Sequence, residues 1–154
     1  MDYHITPMTA VFAQGIAGWH YEGEYRFYDA DQDPEDLEEL LDPESWPETF
    51  FAVLNADQTL VGYFIFGHSE DAVEIGLGLA PEYTGQGLGL AFVNAGLEFA
   101  RQRFQPKIFR LKVATFNQRA IRVYRQAGFL AGKVYMQEVN GRYYEFLSMN
   151  RPAS

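Results

Sequence analysis

Three glycines at every second position, in Thr84-Gly85-Gln86-Gly87-Leu88-Gly89, follow the strand-like run Leu77-Gly78-Leu79 and lead into an amphipathic stretch. A glycine-rich turn entering a helix lets several backbone N–H groups converge, and the helix end adds partial positive charge. Such a site suits a phosphate or pyrophosphate. The plain alternative is a turn that only lets strand and helix pack closely. Spacing disposes of two nucleotide sites. No Gly-Lys-Ser/Thr triplet occurs, so a P-loop is excluded, and Gly85-x-Gly87-x-Gly89 lacks the G-x-G-x-x-G interval of a dinucleotide fingerprint. The residue twenty positions after Gly87 is Lys107 rather than an acid. Two further constellations carry reactive side chains: Asn117 to Phe129, with Arg122 and Tyr124, and the aromatic-acidic run from Trp19 to Tyr28.

Hydrophobic periodicity predicts the elements that position these groups. Tyr3–Pro7 reads as an edge strand, and Thr9 caps a helix carrying Phe12, Ile16 and Trp19. The segment 19–28 has neither helical nor strand period and reads as an ordered loop. Asp33-Pro34 starts a short acidic helix with Leu37, Leu40 and Leu41. Residues 49–54, 60–67 and 73–79 read as strands, 88–103 as a helix, 108–115 as a strand and 117–127 as a helix stopped by Gly128. The runs 130–139 and 142–149 flank Asn140-Gly141, a strong hairpin signal. The order predicts one mixed α/β (α+β) domain over residues 1–154, with a mostly antiparallel central sheet of six to seven strands and about four helices.

The 154 residues carry a net charge of −9, which excludes a generic nucleic-acid binder. Charge is unevenly placed: residues 1–100 hold 19 acidic side chains and one basic, Arg26, whereas residues 101–154 hold 11 basic and two acidic. Ten acids and no base lie between Asp29 and Glu48. The chain has no cysteine, so a disulfide framework, a thiolate metal site and a cysteine nucleophile are excluded. His4, His20 and His68 are scattered, which predicts no metal site, and His20 and His68 read as ordinary surface or loop residues. Residues 1–12 lack the basic and apolar segments of a secretory signal, and no run is long enough to span a membrane. A cytoplasmic location is expected.

The glycine turn together with Asn117-x-x-Ala120-x-x-x-Tyr124-x-x-x-Gly128-Phe129 resembles the GNAT superfamily of acyl-CoA-dependent N-acyltransferases, closely over residues 60–130. The resemblance implies a GNAT-like fold and acetyl-CoA as cofactor. It implies that Leu77 and Leu79 pair their backbone with the pantetheine arm. Thr84, Gly85, Gln86, Gly87, Leu88, Gly89 and Leu90 would then form the pyrophosphate site, and Asn117 would contact the cofactor arm. Tyr124 stands as general acid. Thr84 departs from the family's usual Arg or Gln, a change that would shift phosphate contacts to backbone groups or to Arg119 and Arg122.

Acyl transfer to an amine requires the amine to lose a proton and the acyl oxygen's developing charge to be stabilised. Glu74 is the candidate base. Val73 and Ile75 point one way along their strand and Glu74 the other. The Leu79 N–H is the candidate oxyanion donor. In this superfamily the region of Trp19, Tyr21, Glu22, Tyr25 and Tyr28 covers the acceptor, and together with Glu24 and Asp29 these side chains would attract and pack around a cationic amine. The expected function is direct acetyl transfer, in a ternary complex, to a primary amine of a small molecule or a protein N-terminus, by a monomer or homodimer. Two rivals are a noncatalytic acyl-CoA-binding or sensing module and an oligomerising interaction protein.

Overall fold

The computed structural model describes residues 2–154. Its regular elements are β1 (His4–Pro7), α1 (Ala10–Ala17), α2 (Pro34–Leu41), β2 (Phe50–Leu54), β3 (Leu60–Ser69), β4 (Ala72–Leu79), α3 (Gly89–Phe104), β5 (Ile108–Ala114), α4 (Gln118–Gln126), β6 (Leu130–Val139) and β7 (Arg142–Pro152), with short 3-10 turns between them. The strands form one sheet in the order β1-β2-β3-β4-β5-β7-β6. The β4–β5 pair is parallel, and β1–β2, β2–β3, β5–β7 and β6–β7 are antiparallel. This is the mixed, mostly antiparallel sheet that the sequence predicts.

The chain falls into two compact units. Met1–Ile65 and Leu77–Gln86 make one, and Phe66–Gly76 and Gly87–Ser154 the other. In the first, Thr9 caps α1 through the Phe12 amide and Asp33 caps α2 through the Glu35 amide, each relieving an orphan donor at a helix start. Its core gathers Met8, Ala13, Ile16, Phe50 and Ala52, with Trp19, Leu40, Trp46 and Tyr63 packed against it. In the second, Phe66 packs on Phe99 and Phe104, while Val73, Phe92, Leu97, Phe109, Phe129 and Met149 are almost wholly buried. Its terminal hairpin turns at Asn140 and Gly141, both with positive φ, as the Asn-Gly pair demands.

One sequence expectation changes in kind. Gly23–Tyr28, read as a loop, is a 3-10 helix, a tight winding that neither of the periods used to read the sequence detects.

Candidate functional site

The glycines of the turn answer a conformational demand and a packing demand. Gly85 (φ 72°) and Gly87 (φ 75°) lie in the left-handed region that favours glycine. Gly89 instead answers a packing demand, because an added Cβ would lie 3.1 Å from Val123 Cγ2 of α4. Two side chains of the turn are engaged locally: the Thr84 hydroxyl donates to the Pro81 carbonyl at 2.7 Å, and the Gln86 amide donates to the Glu82 carbonyl. What the turn offers a ligand is therefore largely backbone. Helix α3 starts behind Leu88 without a side-chain cap. Its first in-register donor is the Phe92 amide, bonded to Leu88, so the amides of Gly89, Leu90 and Ala91 precede the intrahelical ladder. Uncapped amides at the start of a 16-residue helix, behind two glycines in left-handed conformation, fit a pyrophosphate.

Helix α4 carries the next group. Asn117 is its N-cap, accepting from the Ala120 amide at 3.2 Å, a local duty that the resemblance alone did not indicate. Arg122 is exposed in a shallow depression shared with Gln118, Ile121, Arg125 and Gln126. Tyr124 is half-buried, its ring edge-on to Phe129 with centroids 6.2 Å apart. The helix ends where Gly128 takes φ 96° and Arg151 donates to the Ala127 carbonyl at 2.6 Å. Burial, reinforced by Arg101, lowers the Arg151 pKa.

Glu74 is exposed on β4 between buried Val73 and Ile75, as strand alternation requires. Its register partner on β5 is Arg110. Burial, with the Glu74 charge adding to it, raises the Tyr135 phenol above its ordinary range. Tyr135 is thus within electrostatic reach of the candidate base. Its place on β6, far along the chain, gave no sign of this.

The aromatic run belongs to the unit that contains the end of β4. The Tyr21 hydroxyl donates to the Leu79 carbonyl at 2.7 Å. Tyr21 and Tyr28 meet edge-on at 6.5 Å, and Trp19 stacks on Tyr63 at 6.4 Å. Glu22 is exposed and Tyr25 half-buried. Asp29 departs from the sequence reading, which set it among acids facing an amine: it is buried, accepting from the Tyr21 amide at 2.8 Å and meeting His20 Nδ1 at 3.2 Å. Its work is to fix the 19–28 segment. His20, read as an ordinary loop residue, has Asp29 and Asp31 carboxylates beside it, the latter at 3.8 Å. Tyr63 of β3 lies against Gly78 of β4, where an added Cβ would fall 2.2 Å from Tyr63 Cε2, a pairing across two strands that has no local sequence signal.

The sequence model of the acetyltransferase (GNAT) family matches residues 16–129. The chain belongs to that family. It is an acetyl-CoA-dependent N-acetyltransferase. A relative from Vibrio cholerae, spermidine N(1)-acetyltransferase, is 25% identical over 143 residues, covering 88% of this chain and 79% of its own length. Among solved structures, a spermidine N-acetyltransferase chimera of Vibrio cholerae SpeG and hSSAT superposes with a TM-score of 0.81 at 21% identity, covering 99% of this chain and 96% of the other. The Vibrio cholerae spermidine N-acetyltransferase in complex with CoA and spermine gives a TM-score of 0.77 at 20% identity, covering 98% and 95%. These likenesses establish the GNAT fold for the chain. No helix among the described residues is long and apolar enough to cross a membrane.

Proposed function

We propose that this acetyltransferase acts on an aliphatic polyamine of the spermidine class, by direct transfer in a ternary complex. The observation that carries the acceptor class is the crowding of like charge on α2. Burial first, then the Asp33, Glu39 and Glu35 carboxylates, raise Asp36 above the usual carboxylate range. Ten acids without a base over residues 29–48 form a negative field that a flexible polycation relieves better than a single ammonium does. The spermidine-acetylating relative supports the same class. The family match runs through residues of both compact units, which supports reading 1–154 as one acyltransferase domain.

In this reading, bound acetyl-CoA supplies an acetyl group activated as a thioester. The amides from Gly85 to Leu90 hold its pyrophosphate, with Arg122 contributing positive charge, while Leu77 and Leu79 align the arm through backbone hydrogen bonds. Glu74 takes a proton from the acceptor ammonium, directly or through water, because only the neutral amine has a lone pair to attack with. The Leu79 N–H stabilises negative charge on the acyl oxygen; its carbonyl already holds the Tyr21 hydroxyl. Tyr124 gives its hydroxyl proton to the departing sulfur. Trp19, Tyr21, Glu22, Tyr25 and Tyr28 attract and pack the acceptor. With no cysteine in the chain, a thioester-linked enzyme intermediate has no nucleophile to form on.

The test is CoA release, followed with a thiol reagent, across spermidine, spermine, putrescine, an aminoglycoside and a peptide with a free N-terminus. Spermidine or spermine turning over with the highest kcat/KM is the expected result. Preference for the peptide or the aminoglycoside overturns the acceptor class and leaves the acetyltransferase assignment standing.

A further inference from the structure

Tyr63 sits on β3 with its phenol held on three sides. Trp19 stacks on the ring at 6.4 Å and 28°, and Phe50 meets it edge-on at 6.0 Å and 84°. The third side is bare backbone. A Cβ added at Gly78 would fall 2.2 Å from Tyr63 Cε2 and 2.9 Å from its hydroxyl, closer than any side chain tolerates. The ring therefore lies directly on β4, one residue before Leu79, whose carbonyl holds Tyr21. Ala80 donates to the Val61 carbonyl at 2.8 Å, which fixes the local register of the two strands.

Packing explains the ring but not the hydroxyl. Phenylalanine would fill the same space without burying a polar group. Among the described residues none is hydrogen-bonded to the Tyr63 hydroxyl. A phenol held this firmly, with its oxygen neither used by the protein nor fully occluded, is suited to a ligand. Burial, with Tyr28 nearby, raises its pKa, so it stays neutral over the working pH range. A neutral hydroxyl has two lone pairs for an N–H donor, and the Trp19 ring stacked on the phenol favours a cation over an anion.

We propose that Tyr63 is a specificity-determining residue of the acceptor site: its hydroxyl accepts a hydrogen bond from an amine N–H of the polyamine, and Gly78 is the residue that lets it stand there. This rests on the polyamine reading above. It adds a group on β3, outside the 19–28 run, and names the chemistry it recognises.

The test uses the full chain with Tyr63→Phe, which keeps every ring contact and removes one oxygen. Initial rates of CoA release are measured against spermidine and against acetyl-CoA, with spermidine binding followed by calorimetry in the presence of CoA and Tm by thermal unfolding. Loss of a hydrogen bond from a charged donor predicts a fall in spermidine kcat/KM and affinity of about tenfold or more, with acetyl-CoA KM and Tm unchanged. Spermidine kinetics and binding within about twofold of the parent overturn the proposal. So does a Tm lowered by several degrees, which would make the hydroxyl a structural group. If the unmodified protein neither binds nor acetylates spermidine, the polyamine reading itself fails, and this inference with it. Failure confined to the variant leaves that reading intact.

Discussion

Gly87→Ala separates a ligand-holding turn from a merely tight one, because the molecule contains its own control. Gly87 (φ 75°) and Gly141 (φ 78°) share a left-handed backbone, and an added Cβ meets nothing within 4 Å at either position. Alanine at each therefore acts through backbone conformation alone. The left-handed region costs an L-residue about 1–2 kcal/mol, and the stiffer unfolded chain returns part of that, leaving a net loss of about 1 kcal/mol for both variants. Urea unfolding should show similar drops in midpoint. Ligand affinity should not move in parallel. If the amides from Gly85 to Leu90 grip a pyrophosphate, relaxing residue 87 turns at least one donor away. One hydrogen bond to a charged acceptor is worth about 1.5–3 kcal/mol, so calorimetric Kd for acetyl-CoA should rise tenfold or more in Gly87→Ala and stay constant in Gly141→Ala. Gly87→Asn, whose side chain tolerates the left-handed region, should recover part of both losses. Equal acetyl-CoA affinity in the two alanine variants would refute the argument and return the turn to a packing role.

Glu74→Gln should lower kcat by about a hundredfold or more while leaving acetyl-CoA affinity unchanged, since the change removes a base and keeps the shape; a loss of under about tenfold in thiol release would place the base elsewhere. Asp36→Asn should stabilise the protein near neutral pH. Because Asp36 is raised in the folded state, folding favours its protonated form, and its ionisation as pH climbs through the folded pKa costs stability. The gain from asparagine should be a few tenths of a kcal/mol, as for exposed like-charged helix pairs, should shrink in high salt, and should vanish at pH below the ordinary aspartate range. Thermal unfolding at two pH values and two salt concentrations reads all three features, and a gain that persists in acid would contradict the charge explanation.

Features legible in the sequence are those whose cause is local. Thr9 and Asp33 announce their helices because a cap is a contract between residues two or three apart. Asn140-Gly141 sets its hairpin because two successive positive φ values suit few other pairs. The alternation of Val73, Glu74 and Ile75 survives folding unchanged, so the exposure of Glu74 was readable from three residues. Even Asn117, singled out through a family pattern, has a local reason to be there in capping α4. A motif residue can owe its identity to the helix it starts as much as to a ligand.

Asp29 and Tyr63 show where that legibility ends. Asp29 looked like one acid among ten, yet folding buries it under the Tyr21 amide and His20, separations of eight and nine residues that no periodicity encodes. The choice between a solvated acid and a buried anchor is made by tertiary packing. Tyr63 is a stronger case, because its meaning depends on Gly78, a residue that in sequence looks like one more weak point in a strand. Glycine inside a strand costs stability, and a common reason to find one is close approach by another group. Here the approaching group is a phenol, placed beside the same stretch of β4 that Tyr21 bonds through Leu79. Two tyrosines from different parts of the chain thus meet one strand end, one spending its hydroxyl on the backbone and the other keeping its hydroxyl out of the protein's own hydrogen bonds. The first fixes the aromatic segment; the second, on the reading argued above, is what the polyamine meets.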